Sequence, residues 1–477
     1  SKIYNLAGGL PCSGVNHDLS LFISIYCGAI KITEKLTVEL KITGLTHDAR
    51  GVGRHQGLAV FVDGALPGEL VKIRIKGIRK NHAEGVLERV LEASPHRIIS
   101  ACSGHGRCGG CQLLHLGYDR QLVEKKEMVE NALGRIGGFQ DIVINDTLGM
   151  DNPMAYRNKI LFQVGAIPGR GDGRQLALGF FEKGSNRLVP GIDCLLISPS
   201  LRKLASELED LINKYGCIDL KRVLIRQSHF NKEILVGLIY KESCHHKGKL
   251  SSLVEGLRAF SDKIVSIMEL VIPNPRIPWK GESRILYGRD HIIEEVNGRK
   301  FLISAHSFFQ VNTLQANVLY KKVMDYCGLD GSGTVFDLYC GTGTIGILLA
   351  KKAKMVYGIE SLKGAVVDAR ENAKLNEVRN IEFIRGKSEA EVPKLLERGI
   401  RPNVIVVDPP RKGCNPELLD AILKVRPGRV VCVSCNPSTL ARDLKLLANK
   451  YKIKEAQPVD LFPWTHHVEV IVKLEEL

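Results

Sequence analysis

Between residues 334 and 433 the chain repeats one pattern: short β-branched runs at 334–338, 355–359, 381–384, 404–407 and 429–433, with helical stretches such as 364–376 between them. Strands separated by helices pair in parallel, because each crossover returns the chain to the same end of the sheet, and the crossovers cover both faces. From residue 301 onward the sequence therefore predicts a doubly wound α/β domain, with 467–474 supplying a last alternating strand. Such a sheet places its chemistry beyond the carboxyl ends of its strands.

Three strand ends carry the relevant residues. In Val335-Phe336-Asp337-Leu338-Tyr339-Cys340-Gly341-Thr342-Gly343-Thr344 a strand passes through a glycine turn into a helix. The turn is one glycine short of the dinucleotide fingerprint, but Glu360 ends the next strand about 20 residues on, where ribose hydroxyls are bound in Rossmann-like sheets. No basic side chain or Gly-Lys-Ser follows, so a neutral or cationic nucleoside suits the turn better than a phosphate, and S-adenosylmethionine (SAM) fits that description. Read structurally, the glycines only permit a tight turn and Glu360 is a solvated strand end.

The second strand end opens into Asp408-Pro409-Pro410-Arg411-Lys412-Gly413. Enzymes that methylate a base amino group place an aromatic ring after the prolines; Arg411 stands there instead. The third, Val430-Val431-Cys432-Val433-Ser434-Cys435-Asn436-Pro437, delivers a thiol to an Asn-Pro break ahead of a helix at 439–447. The helix dipole and Arg411 are expected to lower the Cys435 pKa and so activate it as a nucleophile. Cys340 and Cys432 read as inert core residues. Glu469 is the only charge in Val468-Glu469-Val470-Ile471-Val472, which would raise its pKa into the range of a general base; the alternative is a glutamate on the solvent face of an edge strand.

The length of 477 residues suggests three domains. Alternating strands with glycine turns at 36–42, 58–62, 70–75 and 83–91 predict a small β-barrel. Period-two spacing puts Lys72, Arg74 and Lys76 on one face, with Arg79 and Lys80 following, a face suited to phosphates or simply solvated. After a linker at 94–96, an amphipathic helix is predicted at 118–136, ended by Gly137-Gly138. The region 145–298 carries no evident chemistry apart from Cys194, and reads as scaffold and docking surface.

Cys102-x5-Cys108-x2-Cys111 is a dense thiol set with glycines that let the backbone wrap a metal. Zinc ribbons usually pair two short hooks, and here there is one, so a fourth ligand must come from afar; Cys194 is the candidate. The net charge of +15 and pI near 9.2 favour a polyanionic partner, RNA above all. Thirteen cysteines without a disulfide framework point to a reducing compartment. The longest apolar run, 19–30, is shorter than the roughly 20 residues that span a bilayer. Only Lys2 precedes it and no clear cleavage site follows, so a cytoplasmic location without membrane attachment is expected, with 1–34 unassigned.

Together, Asp337-Leu-Tyr-Cys-Gly-Thr-Gly-Thr344, Asp408-Pro-Pro-Arg-Lys-Gly-Cys414, Ser434-Cys-Asn-Pro-Ser-Thr-Leu-Ala-Arg-Asp443, His467-Val-Glu469 and Ser307-Phe-Phe-Gln-Val-Asn312 resemble the RNA (uracil-5-)-methyltransferase family, from about residue 35 to the end of the chain. The resemblance implies that Cys435 adds to carbon 6 of uracil and that Glu469 removes the hydrogen from carbon 5. It places Gln310, Tyr339, Glu360 and Asp408 in the SAM pocket, beside Gly341, Gly343 and Thr344 of the glycine turn. Family members with the same cysteine spacing hold a 4Fe-4S cluster, which makes Cys102, Cys108, Cys111 and Cys194 its ligands. Radical SAM enzymes use Cys-x3-Cys-x2-Cys and leave one iron open, whereas four cysteines close the site, so a structural or RNA-facing role is expected.

The same resemblance makes 35–95 a TRAM domain, an OB-like RNA binder, and 96–300 a central α+β iron-sulfur and RNA-binding domain of which about 114–145 packs on the SAM-dependent methyltransferase domain, 301–477. The expected substrate is a uridine extruded from RNA, in 23S ribosomal RNA first and transfer RNA second, acted on by a monomer. The rival of a different class is a non-catalytic iron-sulfur RNA-binding protein. Residues 1–34 have no counterpart in the family, and Trp464 is a less usual residue in the approach to Glu469.

Overall fold

The computed structural model describes residues 36–168, 174–242, 247–273 and 281–477; the 1–34 extension and its apolar run lie outside the described residues. The described residues form two compact units, one of the residues up to Gly44 with Gly51–Ala93, the other of Leu45–Arg50 with those from Ser94 to Leu477.

The first unit is a closed barrel in the strand order Thr37–Leu45, Gly51–His55, Leu58–Val62, His82–Glu92, Leu70–Ile78. In its last strand Val71, Ile73 and Ile75 point into the core, while Lys72 and Lys76 are exposed and Arg74 is half-buried, as the period of two requires. The Arg74 Nε donates to Glu88 at 3.1 Å, so part of that basic face is neutralised within the barrel. The strand Gly51–His55 was not legible, because its glycines interrupt the alternation. Gly53 is required there: a Cβ would stand 2.5 Å from the Lys41 carbonyl oxygen.

The second unit contains two large sheets. The first has seven strands in the order Glu282–Gly288, Ile264–Val271, Ile234–Tyr240, Leu220–Gln227, Lys159–Pro168, Arg174–Phe181, Leu188–Pro190. The helix Pro199–Tyr215 belongs to the same core, burying a stripe of Leu201, Leu204, Ala205, Leu208, Leu211 and Ile212 at helical spacing. Ser198 caps that helix by accepting from the Leu201 N–H, and Gly216, with φ 62°, ends it.

The other sheet has eight strands. Ile381–Arg385, Met355–Glu360, Thr334–Leu338, Val404–Val407 and Arg429–Ser434 run parallel. Glu469–Glu476 follows antiparallel, then Tyr451–Val459, and Val143–Ile144 closes the edge. The five parallel strands match the sequence expectation to within one residue. Glu469–Glu476 begins two residues later than expected, and it is paired on both sides, so Glu469 is not on an edge strand. The helix Tyr118–Ala132 continues as a π turn, Leu133–Gly137, and ends at left-handed Gly138. Its Lys125 forms a fully buried ion pair with Asp460, which ties it to the loop that leads to Glu469. Among the described residues no helix is long and apolar enough to cross a membrane.

Candidate active site

The chain leaves Thr334–Leu338 through a turn with left-handed backbone at every second residue: Tyr339 (φ 62°), Gly341 (φ 55°) and Gly343 (φ 80°). Two carboxylates fasten it. Asp337 accepts from the Gly346 N–H at 2.8 Å in the following helix, and Glu360 accepts from Gly341 at 3.2 Å and Leu362 at 2.8 Å. Glu360 is thus more than a solvated strand end: it sits against the turn that it shapes. Thr344 opens the buried helix Thr344–Leu349. A Cβ on Gly343 would meet the Phe383 ring at 2.6 Å and Ala369 at 3.0 Å, at a φ that L side chains resist. Gly343→Ala is therefore expected to destabilise the protein by about 1–3 kcal/mol and to weaken SAM binding, checked by thermal unfolding and calorimetric titration.

Gln310 is buried, its carbonyl oxygen accepting from Asn158 at 2.9 Å and its side chain hydrogen-bonded to the Tyr320 hydroxyl. That hydroxyl feels Asp408, Glu469 and Asp337, which places Gln310 with the three carboxyl groups. Burial pushes Asp337 up to about 7, Asp408 up to about 7 and, with help from Asp408, Glu469 up to about 8. Enclosed carboxyl groups held near neutrality ionise readily when a cation enters, which suits a sulfonium ligand. Tyr339 is half-buried, with its hydroxyl toward Cys414, Glu389 and Asp443.

Cys435 follows Ser434, which pairs with Val470, so the next step of that antiparallel ladder sets Cys435 toward Glu469. Glu469 acts on the ionisation of Cys435, together with Asp408 and Arg411. The expected low thiol pKa is not found. Burial, then Glu469 and Asp408, push Cys435 up to about 11, and Arg411 opposes them only in part. The expected rise of Glu469 is found. The helix Pro437–Leu447 starts immediately after Cys435 and is capped by Asn436, which accepts from Ser438 at 3.1 Å. Asn436 also donates to the Arg411 carbonyl at 3.1 Å, and Thr439 donates to it at 3.3 Å, so the Asp-Pro-Pro-Arg loop is stitched to the thiol loop. Cys340 and Cys432 are buried, with burial holding both thiols well above their ordinary range.

Arg411 donates to His467 Nε2 at 3.1 Å, and burial holds the His467 pKa down to about 3, so the ring is a neutral acceptor. His467 therefore aims the guanidinium that favours the Cys435 thiolate. Its residue type gave no such signal in the sequence, and neither did Asn158 or Lys125.

Cys102, Cys108, Cys111 and Cys194 line one cavity of about 70 Å³, with Arg157 in its wall. Cys194 is brought in by the turn after Leu188–Pro190, the end of the seven-stranded sheet. Burial pushes Cys111 up to about 12 and raises Cys194. Among the described residues no group of three or more His, Cys, Asp or Glu side chains is gathered tightly enough for a single metal ion, so the expected four-cysteine centre appears as a shared cavity and not as a converged site.

Residues 223–477 match the family described as tRNA (uracil-5-)-methyltransferase, and residues 33–87 match the TRAM domain. An "uncharacterized RNA methyltransferase" of Halalkalibacterium halodurans is 39% identical over 92% of this chain and 96% of its own length. Another from Caldanaerobacter subterraneus is 40% identical over 94% and 99%. The crystal structure of Pyrococcus abyssi tRNA (uracil-54, C5)-methyltransferase in complex with S-adenosyl-L-homocysteine superposes with a TM-score of 0.72 at 28% identity, covering 92% of this chain and 100% of that one. The chain is an RNA methyltransferase that uses SAM, and it belongs to the tRNA (uracil-5-)-methyltransferase family.

Proposed function

We propose that the chain methylates carbon 5 of a uridine in structured RNA through a transient thioether between Cys435 and carbon 6. The observation that carries the reading is the step of the ladder beyond Ser434 and Val470, where a thiol and a buried carboxyl are set toward each other at the carboxyl end of a parallel sheet. Carbon 5 of uracil is too weak a nucleophile to take a methyl group unaided. When the Cys435 thiol has lost its proton to solvent and the sulfur bonds to carbon 6, the π pair of the 5,6 double bond moves onto the carbon 5 enolate. SAM supplies an electrophilic methyl, whose bonding pair stays with the departing sulfur. Glu469 takes the proton from carbon 5, the double bond re-forms, and the Cys435 thiolate leaves. Arg411 favours the thiolate, and Asp337 and Glu360 of the Rossmann-like sheet, with Gln310, Tyr339 and Asp408 from the loops beside it, surround the methyl donor. A stacked base is out of reach of the thiol, so the uridine enters extruded, with the basic barrel holding flanking RNA.

The four-cysteine cavity is read as the seat of a 4Fe-4S cluster in the central domain. Thiolates on one zinc ion stand about 4 Å apart. A cavity walled by four thiols suits a larger, sulfide-bridged centre, to which the cysteines would supply four anionic ligands. Protein purified without oxygen is expected to be brown, with about four irons per chain, and Cys194→Ser to lose most of that iron. A colourless, zinc-loaded preparation would overturn the assignment.

Ribosomal RNA, 23S in particular, is the first target to test. Transfer RNA is the second reading, because the Pyrococcus abyssi neighbour is named for uracil-54 of tRNA. Mass-spectrometric mapping of 5-methyluridine in both RNAs from a strain lacking this gene tests them together: the true target loses one 5-methyluridine, and loss from neither refutes both.

A further inference from the structure

Trp464 has left-handed backbone (φ 69°), unusual for a bulky residue, and such a conformation persists only where its surroundings fix it. Those surroundings are the cysteine loop. The Trp464 carbonyl accepts from two successive N–H groups, Gln112 at 3.1 Å and Leu113 at 3.0 Å, which directly follow Cys111. The Trp464 N–H donates to Gln121 at 3.1 Å and its indole N–H to the Pro153 carbonyl at 2.9 Å. The Gln112 side chain extends the link: its Nε2 donates to the Gly109 carbonyl at 3.0 Å, between Cys108 and Cys111, leaving its Oε1 to accept from His466 Nδ1 at 3.2 Å. The His466 ring lies 4.0 Å, centroid to centroid, from that of His467, the residue that holds Arg411. Trp464 belongs to a buried cluster with Leu114, Tyr156 and Leu196, against which Cys102, Cys111 and Cys194 pack.

We propose that the cysteine loop is the anchor of the catalytic base: through Gln112 and Leu113 it fixes Trp464 and His466, and so sets the entry of the strand that carries Glu469. Trp464 and Gln112 are positioning residues, acting through the strand that carries Glu469. The inference rests on the reading above for Glu469 as base and for the cavity as a metal centre. It gives that centre a task apart from methyl transfer, which is to keep the loop folded so that the proton-abstracting carboxyl stays in register. Emptying the cavity would then stall the enzyme with RNA still attached.

The test compares wild-type holoprotein, iron-depleted wild type and Gln112→Ala holoprotein by hydrogen–deuterium exchange and by reaction with RNA. Amide exchange at 463–468 is expected to rise about tenfold or more in both altered samples, the scale of one lost hydrogen bond, while 337–345 at the SAM turn keeps its rate. With ordinary substrate RNA, Gln112→Ala is expected to release methylated product about tenfold more slowly, with protein-linked RNA building up. Its covalent capture of 5-fluorouridine RNA, which does not need the base, should proceed at the wild-type rate. Unchanged exchange at 463–468 in either altered sample overturns the proposal. Protein that carries no iron refutes the cluster reading by that assay alone, and Gln112→Ala then decides the anchor. Wild type that captures no 5-fluorouridine RNA refutes the covalent chemistry, and the exchange result still decides the anchor.

Discussion

Replacing Cys435 by alanine is expected to lower methyl transfer by roughly four orders of magnitude or more, the scale on which loss of a covalent nucleophile is felt. Binding should survive, because among the described residues the fastenings of the glycine turn run through Asp337 and Glu360 and not through Cys435. Single-turnover transfer of labelled methyl, measured beside SAM affinity, separates the two. The loss should appear in the chemical step with the dissociation constant nearly unchanged. Cys435→Ala with ordinary turnover would remove the thiol from the reaction. The neighbouring Cys432 cannot substitute, since it is buried in the sheet with its thiol held protonated.

The second large effect belongs to Glu469. With Glu469→Gln the addition and the methyl transfer remain possible, but the proton on carbon 5 has no acceptor, so methylated RNA should accumulate on the protein and survive denaturation. Turnover is expected to fall by about 10²–10⁴-fold, the usual contribution of a positioned general base. The wild-type pH profile follows from the same group. A base acts deprotonated, and burial with Asp408 places Glu469 at about 8, so kcat, which contains the elimination step, should fall as the pH drops below about 8, while kcat/KM follows the ionisation of Cys435 at about 11. Arg411 lowers both Glu469 and Cys435. Arg411→Met should therefore move the acid limb toward higher pH, and a profile that stays in place would show that the guanidinium does not govern the site.

The parallel sheet was readable because its strands are buried on both faces and so appear as unbroken β-branched runs. Val404–Val407, buried throughout, is the plainest case. Gly51–His55 was hidden because glycines chosen for close backbone approach carry no strand signal. In the site, Cys435 and Glu469 were legible as a thiol at a strand end and a lone charge in an apolar strand. The state of the thiol was not. A sequence shows the nearby helix start and Arg411, but it does not show the burial and the two carboxyl groups that outweigh them. The link from Gln112 and Leu113 to Trp464 runs largely through backbone groups across some 350 residues of chain. Such bonds leave no trace in side-chain type, which is why Trp464 stood out in the sequence only as an unusual residue.

The central claim is a bond between one sulfur and a pyrimidine ring, and it can be weighed directly. Wild-type protein is incubated with SAM and RNA carrying 5-fluorouridine, whose fluorine cannot leave as a proton does, and the denatured complex is digested and sequenced by mass spectrometry. The account predicts a methylated fluoropyrimidine joined to Cys435. A complex that falls apart on denaturation, or a nucleotide attached to any other residue, would contradict it.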